Sequence, residues 1–96
     1  MTTRRESSVE AALVAAARKR GWMAPKWTSP GTLGVPDRII LADRGRVFFV
    51  EVKRPGGKPR PSQTAWHNKA KQLGHTIWIY DGTTPPDAFL NQLESQ

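Results

Sequence analysis

The sequence predicts an α/β fold in which a mixed central β-sheet is flanked by helices. Three observations carry this prediction: apolar residues at helical spacing near the start, two β-branched and aromatic runs joined by a short glycine-containing turn, and a later alternation of helix, strand and helix. The elements come in the order α-β-β-β-α-β-α, which places helices on both faces of the sheet. At 96 residues the chain has room for one core, so residues 1–96 are expected to form one domain. So short a chain buries only about 60 to 65% of its unfolded surface, which favours pairing into a homodimer.

Residues 9–20 read as a helix of good formers. Thr3 with Glu6, or Ser7 with Glu10, can make a capping box at its start, and Arg18, Lys19, Arg20 and Gly21 suit its end. Glu10, Leu13, Val14 and Ala17 fall at i, i+3, i+4 and i+7, so a carboxylate heads the apolar stripe. On helix pattern alone a capping or edge glutamate explains this better than a functional one. Residues 22–27 read as a short strand that Pro25 confines to an edge or to irregular structure. A loop with Ser29, Pro30, Gly31 and Gly34 follows, and Val35-Pro36 leads into Asp37 in extended conformation.

Residues 37–42 and 46–53 read as two strands, and the link between them sets their register. If Asp43, Arg44 and Gly45 form a three-residue loop, Gly45 supplies the left-handed position of a type I turn with a G1 bulge. Leu41 then faces Val47, Ile39 faces Phe49 and Asp37 faces Glu51, with Lys53 on the same side by the two-residue period. A two-residue loop of Arg44-Gly45 would pair Asp37 with Val52 and send the two acids to opposite faces. The first register is preferred because it lets the acids act together. Ile40, Phe48, Val50 and Val52 occupy the other face, so both sides of the sheet need a cover. After a basic Gly/Pro loop over 55–61 come a helix ending near Leu73, with Pro61 in its first turn, a strand over 76–80 and a final helix over 86–93.

Fifteen Lys and Arg against eight Asp and Glu give a formal charge of +7 and a pI near 10.6, the balance of a polyanion binder, with nucleic acid the natural partner. A merely solvated basic surface is the plainer alternative. The absence of cysteine excludes disulfides and thiolate metal sites. Arg4 and Arg5 ahead of an alanine-rich run resemble a leader, but Glu10 interrupts the run and three cations close it. No export or membrane insertion is expected, and the cytoplasm is the expected location.

Asp37 and Glu51 on one sheet face would repel each other in a half-dry site, and a divalent cation removes that cost by taking both as ligands. Mg2+ suits them, since it takes hard oxygen ligands and one or two carboxylates beside phosphate oxygens and water. The backbone carbonyl of Val52 offers a third oxygen. Lys53 points beside the metal, where an ammonium can orient the attacking water and offset charge on the phosphate. Gln63 can position the water or a phosphate, and Glu10 can hold a metal-bound water. Taken singly, these residues say little: Glu51 and Lys53 could be an exposed ion pair, and Asp37 a turn residue after proline.

Together they carry a resemblance. EAAL at 10–13, GVPD at 34–37, RVFFVEVK at 46–53 and PGGKPRPSQ at 55–63 resemble, in fixed order, the VRR-NUC branch of the PD-(D/E)XK nucleases. The resemblance covers residues 10–81. It implies a restriction-endonuclease-like core, dependence on Mg2+ or Mn2+, and cleavage of DNA phosphodiesters by an endonuclease. It further implies a compact homodimer of phage or bacterial origin that prefers branched DNA such as four-way (Holliday) junctions. The family's acidic positions fall on Glu10, Asp37 and Glu51, its lysine on Lys53 and its glutamine on Gln63, with Glu6 the substitute for Glu10 if the first helix is shifted by a turn. Lys58 and Arg60, in the adjacent loop, are expected to touch DNA phosphates. Trp66 is expected to serve the core more than base stacking, and His67 is too isolated to be assigned as a ligand. Competing readings are a nuclease for flaps, single strands or RNA, a basic DNA-binding module without catalysis, and a protein-interaction domain.

Overall fold

A computed structural model describes residues 5–96. Its elements are α1 (Glu6–Lys19), β1 (Arg38–Leu41), a 3-10 turn (Asp43–Gly45), β2 (Val47–Val52), α2 (Pro61–Gln72), β3 (Ile77–Tyr80) and α3 (Pro86–Glu94). β1 and β2 are antiparallel with Leu41 opposite Val47 and Ile39 opposite Phe49. This is the register of the three-residue loop, and continued by two residues it sets Asp37 across from Glu51. β2 and β3 are parallel, so the chain must cross over between them, and α2 makes that crossing.

The first expected strand survives as two isolated antiparallel bridges to β1, Met23 with Leu41 and Lys26 with Arg38. Pro25 has no N–H to give a ladder and contributes only its carbonyl, which accepts from the Ile39 N–H at 3.1 Å. The hairpin loop differs from a simple G1 bulge in that Arg44 (φ 58) joins Gly45 (φ 71) in the left-handed region. That conformation costs a non-glycine residue about 1 kcal/mol. Arg46 braces the loop, since its guanidinium donates to Asp43 and to the Glu94 carbonyl, tying the hairpin to α3.

Alternation along β2 divides the molecule. Phe48, Val50 and Val52 point into an apolar core shared with Val9, Leu13 and Ala17 of α1, Ile40 of β1, Tyr80 of β3, and Leu90 and Leu93 of α3. Phe49 and Glu51 point the other way, beneath α2. The expected Ser7 with Glu10 capping box does not form: Arg5 is the N-cap of α1 and makes no side-chain cap bond. Ser7 already lies inside the helix and Glu10 is engaged elsewhere, while Thr3 lies outside the described residues. No helix among the described residues is long and apolar enough to cross a membrane.

Candidate active site

The face of β2 under α2 buries four polar side chains. Glu51 is fully buried, and Lys53, Gln63 and His67 are nearly so. Glu51 and Lys53 arrive from one strand by the two-residue period, and Gln63 and His67 from one helix face at i and i+4. The first turn of α2 is held close to the loop before Asp37 because Gly34, at φ +96, packs against it: a Cβ there would overlap the Ser62 carbonyl.

Lys53 Nζ donates to Gln63 Oε1 at 2.8 Å and lies 3.0 Å from Glu51 Oε2. Gln63 Nε2 donates to the same Oε2, and Gln63 Oε1 also accepts from the Arg60 backbone N–H at 2.8 Å. Gln63 therefore caps its own helix while clamping the carboxylate and the ammonium. Its carbonyl accepts from both Lys53 and Arg60. Asp37 is half-buried, and its Oδ2 accepts from the Val52 N–H at 2.9 Å. That bond fixes Asp37 against the end of β2, next to the peptide whose carbonyl was expected to serve as a ligand.

Two atoms in this region stand out. Glu51 Oε1 and His67 Nε2 are buried without a hydrogen-bond partner among the described residues, an expensive arrangement for polar groups. Burial pushes the Glu51 carboxyl up from 4.5 to about 7, helped by the charge of Asp37 and opposed by Lys53. Burial, with Lys71 and Lys53 nearby, lowers the pKa of His67 below its ordinary value.

Glu10 is not brought to this cluster. Its Oε2 accepts from Arg38 Nε at 2.7 Å, and Arg38 projects from β1 to the sheet face opposite Glu51. The carboxylate at the head of the apolar stripe is thus matched by a cation from the sheet. Glu6, one turn earlier, is the α1 acid whose charge bears on Glu51. Lys58 and Arg60 are exposed in the loop leading into α2. His67 was readable in principle, since it repeats Gln63 at i+4 on the same helix face, but a lone histidine carries no motif of its own.

No group of three or more His, Cys, Asp or Glu that could hold a metal is found among the described residues. The acidic set at this site is the pair Asp37 and Glu51. A pair fits Mg2+ or Mn2+, which keep water and phosphate as further ligands, and the unpartnered Glu51 Oε1 is the kind of oxygen such an ion satisfies.

A mixed sheet with a central ExK strand, an aspartate at the head of its antiparallel neighbour and a crossover helix supplying glutamine describes a restriction-endonuclease-like nuclease domain. No family profile matches the chain. It is 46% identical over 77 residues to "Putative nuclease p44" of Acyrthosiphon pisum secondary endosymbiont phage 1, covering 80% of this chain and 83% of that protein. A solved structure described as a VRR_NUC domain matches with a TM-score of 0.80 at 25% identity, covering 90% of this chain and 94% of the other. The chain belongs to the VRR-NUC family of nucleases.

Proposed function

We propose that residues 1–96 form one Mg2+- or Mn2+-dependent endonuclease domain that hydrolyses phosphodiester bonds of branched DNA, four-way junctions among them, and that it acts as a homodimer. The observation that carries the metal-dependent reading is the buried, unpartnered Glu51 Oε1 beside Lys53 and Asp37. A core built for stability alone would not leave a carboxylate oxygen dry and unbonded.

In this reading Asp37, Glu51 and the Val52 carbonyl hold the ion. When bound, it would polarise the phosphate and lower the pKa of a coordinated water. Lys53 offsets the negative charge that grows on the phosphate, and Gln63 keeps Lys53 and Glu51 aligned. From α1, Glu6 adds negative charge near the site while Glu10 is held by Arg38. Lys58 and Arg60 hold backbone phosphates outside the site, consistent with the net charge of +7. Dimerisation follows from the substrate: resolving a junction needs two symmetric incisions, one small domain carries one site, and a two-fold pair supplies both.

The test is to incubate the protein with labelled duplex, flap and four-way junction DNA in Mg2+, in Mn2+ and in chelator, and to map the cuts. Paired symmetric cuts in junctions, abolished by chelator, are expected, with a solution mass about twice 10.7 kDa. A monomeric mass with single nicks would replace junction resolution by flap cutting or nicking. Equal cleavage in chelator would defeat the metal-dependent reading.

A further inference from the structure

On the sheet face that carries Glu51, the space under the far end of α2 is not closed. A groove of about 310 Å3 opens there, lined by Trp27, Phe49, Trp66, Lys69, Leu73 and Ile77 among others. Its walls are aromatic: Trp27 and Trp66 meet edge to face at 5.4 Å, and Trp27 and Phe49 are tilted at 5.6 Å. All three rings are half-buried, and Leu73 at the mouth is 68% exposed. The opposite face of the same sheet is sealed, with Leu13, Ile40, Val50 and Leu90 fully buried.

The groove and the buried polar cluster share one floor. Phe49 precedes Glu51 by two residues on one side of β2, about 7 Å along the strand. Trp66 follows Gln63 by three residues, about 4.5 Å along α2. Nucleotides along a B-form strand are about 3.4 Å apart in rise. A backbone phosphate at Glu51 and Lys53 therefore leaves the groove within one or two nucleotides along the same strand. At 310 Å3 it is at the small end of ligand clefts, which run from about 300 to 1,000 Å3, a size that fits one planar ring system better than two stacked bases.

We propose that this groove is a pocket for one unpaired nucleobase of the DNA being cut, stacked on one of the two perpendicular rings of Trp66 and Trp27 and meeting the other edge-on, with its phosphate against Lys69. The proposal rests on the nuclease reading above and names the structural feature of the substrate, an unstacked base next to the scissile phosphate. Aromatic platforms take any base, because every base has a π-face. Charge complementarity favours DNA over a second copy as the occupant. None of the lining residues is acidic and Lys69 is one of them, so the groove offers a cation to a phosphate and no carboxylate to the basic side chains of a second copy.

The test uses metal-free protein in chelator, so that binding is read without cleavage. Four-way junctions and single strands carry 2-aminopurine in turn at each position near the branch. Stacking in the groove should alter the fluorescence at one position and leave the others unchanged. Trp66→Ala should weaken binding to DNA with unpaired bases by between about fivefold and about a hundredfold, with little change for continuous duplex, and Trp66→Phe should restore most of it. Leu73→Asp, at the exposed end of α2, adds a charge that repels all DNA weakly, and without disturbing packed residues it should lower binding of unpaired bases well beyond that of duplex. The proposal is overturned if no position responds, if both variants weaken duplex and unpaired DNA equally, or if Leu73→Asp halves the solution mass while the base signal stays intact. Failure of the nuclease reading would look different: the wild-type chain would cleave no DNA in Mg2+ or Mn2+, whatever the fluorescence reports.

Discussion

The two faces of the central sheet are made by the same strand and have opposite character. On one, Phe48, Val50 and Val52 join α1 and α3 in a closed apolar core. On the other, Glu51 and Lys53 lie under α2 with Gln63 and His67, buried, charged and incompletely bonded, beside a groove that stays open. A one-residue step along β2 separates a side chain that stabilises the fold from one that destabilises it. The lesson is that this small chain concentrates its stability on one layer and tolerates buried, incompletely bonded polar groups in the other.

The largest expected effect is on the polar face. Asp37→Asn and Glu51→Gln should each lower cleavage by roughly a thousandfold, the worth of several kcal/mol of lost metal-assisted stabilisation, while DNA binding persists. Lys53→Ala should cripple turnover more than metal affinity, as calorimetric titration with Mn2+ would show. Retention of full activity by either acid variant would sink the metal-site assignment and erase the functional contrast between the faces.

Next in size is an effect on the apolar face. Leu90 is fully buried in the core, and Leu90→Ala should destabilise the fold by about 2 to 5 kcal/mol. Below its lowered melting temperature, that variant should cleave at close to the wild-type rate. A proportionate loss of activity in fully folded protein would mean that the two layers are coupled.

A smaller effect depends on pH. Burial raises the Glu51 carboxyl from 4.5 to about 7, so between those values the folded chain keeps a proton that the unfolded chain has released. The stability of metal-free protein should therefore fall as pH rises from about 4.5 to about 7 and level off above, by at most about 3 kcal/mol. Glu51→Gln should remove this contribution and be the more stable protein at pH 8 without metal. Urea titrations across pH in chelator would check both points, and equal slopes for the two proteins would contradict the buried-charge account. Smallest is the effect of exposed cations: losing Lys58 and Arg60 together should flatten the salt dependence of DNA binding by about one unit of slope per lost contact. An unchanged slope would put the phosphates elsewhere.

Much of this arrangement was legible in the chain because short-range rules dictate it. Period-two alternation put Glu51 with Lys53 and apart from Val50 and Val52. Turn chemistry left two hairpin registers open, and the functional argument for two acids on one face chose the three-residue loop at Asp43, Arg44 and Gly45, the register that the strand pairs follow. Pro61 marked the first turn of the crossover helix, and helix and strand order followed from local chemistry.

Contacts between elements distant in sequence were decided only by the tertiary structure. Whether Glu6 or Glu10 comes nearer Glu51 depends on how far α1 is shifted along its own axis, because the two acids lie one turn apart on the same helix face. The packing of Leu13 and Val14 in the core sets that placement while Arg38 captures Glu10. The bonds of Gln63 to Arg60, Lys53 and Glu51, the burial of His67, and the open groove at Trp66 likewise depend on where α2 docks. Local sequence specifies which residues share a face. Only long-range packing specifies which faces meet, because the free energy that selects among dockings comes from many weak contacts across the whole core.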